Sequence, residues 1–373
     1  AYVFNDCTGL KEVVFAAETR LEYGRGFEGC MNIESATCFA DMMYYLPQDS
    51  LQTANIIGGS TISNDTFYNA THLREIHISD GIREIGARAF SGCVNLSSLE
   101  IPDSVTSIGE HAFSNCGVKE LILSSAVESV GYACFADSIA LESVIFEEGA
   151  SISVLEKTLF MGCVNLRRLV LPQISDGIEP DALVDCTKLE ELSVPFVGQN
   201  ADGTGATNLG YLFGDETDNY STVPSSLKKV CVSGSYPIPD EAFDSCRFIE
   251  EVILSTEIRQ IGANAFASCV SLAVISFGEN SALQTIGVGA FTGCYDLVAV
   301  VIPSGVYQLG EAAFMNCREL KTVVFEANDL LQTIERMTFA GCSGLTGIAI
   351  PASVTQLGVS AFSGCSVLES INI

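Results

Sequence analysis

A chain of 373 residues, 48% of them hydrophobic, has ample material for a core and is not a disordered polymer. Its 46 acidic against 18 basic residues, a formal net charge of -28, argue against nucleic acid as a partner, because phosphate must be met by lysine and arginine. No apolar run approaches a membrane span. The fifteen cysteines are too sparse for a small disulfide scaffold and include no CxxC pair.

Taken in order, the chain keeps returning to one phenylalanine: Phe4, Phe27, Phe67, Phe90, Phe113, Phe135, Phe160, Phe243, Phe266, Phe291, Phe314, Phe339 and Phe362. Leu183 stands in for it once, and Phe213 marks a degenerate copy. The spacings from Phe243 run 23, 25, 23, 25 and 23, which identifies an internal repeat. Aligned copies read L-x-x-L/I/V-x-I-P-x-S-V-x-x-I-G-x-x-A-F-x-x-C. Within one copy, Leu96 to Ile101 (LSSLEI) is predicted as a short strand that turns at Pro102. SVTSIG is a second extended segment, and GEHAFSNC is a corner that could hold one helical turn. No such unit buries its own apolar face, but stacked copies do. The phenylalanines and cysteines are then rungs of a continuous core, with Phe90 over Phe113 and Cys93 over Cys116.

Two stretches break the period. Residues 30–66 fall within a 40-residue interval from Phe27 to Phe67, either a distorted unit or an insertion. Residues 196–226 are rich in glycine, asparagine and aspartate and are predicted to project as a loop. The last copy closes on LESINI, a strand with no polar cap, either exposed or covered by further sequence or a partner.

The repeat resembles the leucine-rich repeats of the BspA-like, or Treponema pallidum, type, and it does so over almost the whole chain. The resemblance implies a β-rich leucine-rich-repeat solenoid, a right-handed curved superhelix with a parallel β-sheet on one face. On that basis residues 1–373 form a single solenoid of about 15–16 repeats of 22–25 residues. It also implies a surface protein that adheres to host matrix proteins, to epithelial cells or to other microbes.

Cys7, Cys30, Cys93, Cys116, Cys163, Cys186, Cys246, Cys269, Cys294, Cys317, Cys342 and Cys365 each follow the repeat phenylalanine, or its leucine, by three. Ala70 and Ser138 replace the cysteine in two copies, so the position is one of packing. A line of single ligands cannot enclose a tetrahedral metal. The histidines, His72, His77 and His111, are too few for acid–base or metal work, and no GxSxG, HExxH, GxGxxG or P-loop pattern occurs. Asp215, Glu216 and Asp218 are a weak calcium candidate that lacks spaced EF-hand ligands. No cofactor and no enzymatic activity are expected. Asn64, Asn69, Asn95 and Asn219 lie in N-x-S/T sequons.

Binding is expected on the outer side of the sheet, which a period of two identifies. The third strand positions give Glu12, Glu75, Ser98, Glu120, Arg168, Glu191, Lys229 and Glu251. The fifth give Val14, His77, Glu100, Ile122, Ile145, Val170, Cys231, Ile253, Val301 and Val324, a column that is largely apolar although it faces water. The expectation is a non-enzymatic binding protein, extracellular or on a cell surface, with a protein or glycoprotein ligand, no nucleic acid and no membrane span. The alternatives are a spacer that presents another domain, or an enzyme with its site in residues 198–226.

Overall fold

A computed structural model describes residues 3–16, 26–327 and 329–373. The chain is a β-solenoid whose strands pair in parallel, and contacts divide it into two compact units, Ala1–Lys188 and Leu189–Ile373. Most repeats contribute a front strand of three or four residues and a two-residue rear strand, with longer rear strands at Ser151–Leu155 and Gln173–Ile178.

In the first unit the front strands Glu12–Val14, Ser35–Cys38, Thr53–Ile56 and Glu75–Ile78 form one parallel ladder. The strands Glu120–Leu123, Ser143–Phe146 and Arg168–Val170 form another. Residues 30–66 therefore contain two front strands in register, with Ser35 opposite Thr53, and a short helix, Ala40–Met43, after the first of them. In the second unit Glu191–Val194, Lys229–Val232, Glu251–Leu254 and Val274–Ser276 are paired in order, and Ala299–Ile302 pairs with Thr322–Phe325.

The phenylalanines stack as the period predicts. Phe90 lies 5.3 Å from Phe113 with the rings 1° apart, and Phe67, Phe90, Phe113, Phe135 and Phe160 continue one column. A second column runs from Phe243 to Phe362. The backbone follows the rings: Phe90 N–H donates to Ala112 O at 2.7 Å, and Phe113 N–H to Cys134 O at 2.8 Å. By the same bond, Leu209 N–H to Ala242 O, it is Leu209 and not Phe213 that stacks in the degenerate copy. Phe213 ends a five-residue 3-10 turn instead.

The corner is not a helical turn. The residues two before and two after the phenylalanine both adopt left-handed backbone, as at His111 (φ 52°) and Asn115 (φ 51°). A helix cannot pass through two such residues. The second of these positions is mostly glycine, asparagine, aspartate or serine, as at Gly92, Gly162, Asn316 and Asp137, because a left-handed backbone costs those side chains least.

The cysteine rung has a polar role as well as a packing one. Cys93 Sγ–H donates to Phe67 O at 3.1 Å, Cys317 Sγ–H to Phe291 O at 3.2 Å, and the same bond recurs along both units. Ser138 reproduces it, donating from Oγ to Phe113 O at 2.6 Å. Serine substitutes for cysteine here because both place one donor, a hydroxyl or a weaker thiol, under the preceding phenylalanine carbonyl.

Candidate functional site

The ladder pairing fixes which outward side chains are neighbours. Ile122, Ile145 and Val170 occupy one register column, and Glu120, Ser143 and Arg168 the column beside it. Ile122 is 59% exposed, while Ile145 and Val170 are half-buried. At the start of the chain Glu12 aligns with Ser35 and Val14 with Thr37, and these columns pass through Thr53 and Asn55 to Glu75 and His77. In the second unit Glu191, Lys229 and Glu251 align, Lys229 Nζ lying 3.0 Å from Glu251, and Ser193, Cys231 and Ile253 align beside them. Val301 and Val324 are opposite one another, 48% and 45% exposed. The outward columns thus contain short apolar patches of two or three rungs: Ile122, Ile145 and Val170 are flanked by Glu120 and Arg168, whereas Val301 and Val324 are flanked by Ala299 and Thr322. Ser35, Thr37, Thr53 and Asn55 belong to the face and were not found by sequence, because their strands lack the leucine spacing of the other copies.

One predicted strand is absent. Leu96 to Ile101 is not paired to either neighbour, so the Glu75–Ile78 strand ends one sheet and the Glu120–Leu123 strand begins the next. Ser98 and Glu100, both exposed, lie on this unpaired rung. The rear of the same repeats is intact: Ile85, Ile108 and Val130 align in the rear ladder, and Phe67, Phe90 and Phe113 stay stacked. The two serines, Ser97 and Ser98, supply little cross-strand packing, and Pro102 brings no ladder donor to the end of the rung. Proline alone does not break the pairing, since Ala299–Ile302 pairs in spite of Pro303. The result is an open cleft of about 920 Å³ at the front of the first unit, lined by Glu75, His77, Ser98, Glu100, Glu120 and Ile122 among others.

Residues 196–226 pack down more than a projecting loop would. Phe196, Val197, Leu209, Tyr211 and Leu212 are buried. Asp215 accepts hydrogen bonds from Thr217 N–H and Oγ1 and from Asp218 N–H, while Asp218 accepts from Tyr220 N–H and Ser221 Oγ. These bonds hold both carboxyls below the usual carboxylate range. Glu216 is drawn in through its backbone, its carbonyl accepting from Asn208 Nδ2. The Asp215 and Asp218 carboxylates thus shape turns, and among the described residues no group of three or more metal-ligating side chains is placed to hold an ion. Asn219 is buried, its amide donating to Ala242 O and Asp244 O and accepting from Gly210 N–H. That sequon is therefore closed to modification in the folded chain. Asn95 is exposed and donates from Nδ2 to Thr71 O at 2.6 Å, which leaves its second amide hydrogen outside that bond.

Burial pushes the ladder thiols up, to about 12 for Cys163 and Cys342 and well above their ordinary value for Cys294 and Cys317. Cys7 is exposed and Cys231 half-buried. Iodoacetamide at about pH 8, where a thiolate is the nucleophile, is expected to label Cys7 and Cys231 first. The half-buried Cys365 should follow, and the buried ladder cysteines should react only after denaturation, a sequence that peptide mass spectrometry reads directly.

Among the described residues no helix is long and apolar enough to cross a membrane. The family model of the BspA type leucine-rich repeat region matches residues 60–195 and 236–373. No curated protein matches the chain. Of solved structures, the chain is similar to a leucine-rich repeat protein from Bacteroides ovatus (21% identity, 97% of this chain and 86% of that one, TM-score 0.38). It is also similar to one from Eubacterium ventriosum (17% identity, 87% and 86%, TM-score 0.34) and to the leucine-rich repeat protein of T. pallidum (19% identity, 67% and 78%, TM-score 0.26).

Proposed function

The chain belongs to the BspA-type leucine-rich-repeat family, and from that membership we propose a non-enzymatic binding protein, secreted or held at a cell surface, that captures a protein or glycoprotein on its outer sheet face. The observation that carries the reading is the Ile122–Ile145–Val170 column, apolar side chains aligned by the ladder on the solvent side, with Glu120 and Arg168 alongside. Apolar surface that is contiguous and rimmed by polar groups is the usual form of a protein-binding patch. β-Propensity alone accounts for single valines and isoleucines on a strand, but it gives no reason for them to share one outward column.

The test is a capture assay on immobilised matrix proteins and mucin glycoproteins with the wild type and an Ile145→Lys/Val170→Lys double variant. Both side chains are half-buried, so the melting curve of the variant is measured alongside. Capture is expected to fall about tenfold or more, because two central apolar contacts become charges that must be desolvated on binding. Unchanged capture by a variant with an unaltered melt sinks the reading.

A further inference from the structure

The open rung differs from the rest of the face in three respects that point to one kind of occupant. The first is backbone. Glu75 N–H bonds to Gln52 O and Ser79 N–H to Ile56 O, so alternate groups of that strand, at Ile76 and Ile78, point the other way, toward the cleft. Across the cleft, Glu142 N–H and Ser143 N–H bond to Lys119 O and Glu147 N–H to Leu123 O. The Glu120 and Ile122 amides therefore face the unpaired rung. Two strand edges thus border one cleft, and a strand edge is a template for another extended chain.

The second is the core beneath. Leu121, Val144 and Leu169, the inward residues of the paired rungs, are buried. Their counterpart Ile76 is only half-buried; on the open rung Leu99 is buried, but Ile101, which corresponds to the buried Ile78 and Leu123, is half-buried. Covering Ile76 and Ile101 requires apolar side chains pointing inward. The third is charge: Glu75, Asp80, Glu100, Asp103 and Glu120 line the cleft against the single ammonium of Lys119.

We propose that the open rung at residues 97–103 is a docking site for an extended, basic protein segment. It would add as a strand to the edge of Glu75–Ile78 or of Glu120–Leu123, its apolar side chains covering Ile76 and Ile101 and its lysines or arginines facing the carboxylates. The proposal rests on the reading of the outer sheet face as the binding side, and names for it a partner chemistry and a place. The rear ladder and the phenylalanine stack hold the repeat together independently of its open front.

The probe is a capped synthetic peptide of about nine residues, a common strand length, with alternating lysine and valine. Glutamate-for-lysine and alternate N-methylated versions serve as controls. The basic peptide is expected to bind saturably, more weakly as salt screens the carboxylates, and to slow hydrogen exchange at the amides of Ile76 and Ile78 or of Glu120 and Ile122. N-methylation, which removes alternate ladder donors, and the Glu75→Gln/Glu100→Gln/Glu120→Gln variant are each expected to weaken binding about tenfold or more. Absence of binding, equal binding of the N-methylated peptide, or protection located elsewhere overturns the proposal. If the peptide fails to bind while the Ile145→Lys/Val170→Lys variant loses ligand capture, the open rung is rejected and the sheet face is retained.

Discussion

Phe291→Ala is expected to destabilise the second unit by about 3–5 kcal/mol, the range for removing a fully buried aromatic side chain. Phe291 has no exposed surface and stacks at 5.1 Å on both Phe266 and Phe314. Truncation therefore removes two ring contacts and leaves a cavity that stacked neighbours on a fixed period cannot close. In a solenoid each repeat is held by its neighbours, so the same change should uncouple the turns on either side and broaden the urea transition. Phe362→Ala is the internal comparison. Phe362 is half-buried and its described stacking partner is Phe339 alone, so its loss should cost distinctly less. Equal losses at the two positions, measured by urea denaturation with circular dichroism, contradict a stability carried by continuous stacking.

Gly310→Ala should be nearly as damaging, at about 2–3 kcal/mol, for the opposite reason of overpacking. A Cβ at Gly310 would stand 2.5 Å from the carbonyl carbon and oxygen of Gly287 and 2.6 Å from Val288 N. These are backbone atoms, held by the bond from Gly310 N–H to Ile286 O at 2.9 Å, and they cannot swing away as a flexible side chain would. Gly109, Gly262, Gly287 and Gly358 meet the preceding turn in the same way, which accounts for the glycine that follows the isoleucine or leucine in the repeat. Gly9 is the control: a Cβ there meets nothing within 4 Å, so Gly9→Ala is expected to leave the transition within about 0.5 kcal/mol. A Gly310→Ala protein as stable as the wild type would show that the rear turns are not in close backbone contact.

The solenoid, its stacking order and its outward columns were legible in the residues, because a side chain that recurs at a fixed interval can be buried only by its own copies. Phe90 over Phe113 and Ile122 beside Ile145 follow from that one fact. The leucine spacing is weaker evidence. It hid the strands Ser35–Cys38 and Thr53–Ile56, where alanine and cysteine stand at buried positions that leucine or another larger apolar residue fills in the other copies. It also gave a strand at Leu96–Ile101, where the side-chain pattern is right and the ladder is open.

Burial pattern and backbone pairing are separate conditions on a strand, and a sequence reports only the first. Leu96 and Leu99 point inward as the pattern requires, yet whether the rung closes depends on where two neighbouring turns place their carbonyls and amides. The corner makes the same distinction locally. Glycine, asparagine or aspartate before the cysteine signals a left-handed residue, but the one two before the phenylalanine falls also on Arg88, Ala312 and Met337, which carry no such signature. The sequence by itself therefore determined the period, the core and the acidity of the face. The tertiary structure decided where that face is continuous and where it opens, because hydrogen bonds between turns depend on distances that no single turn encodes.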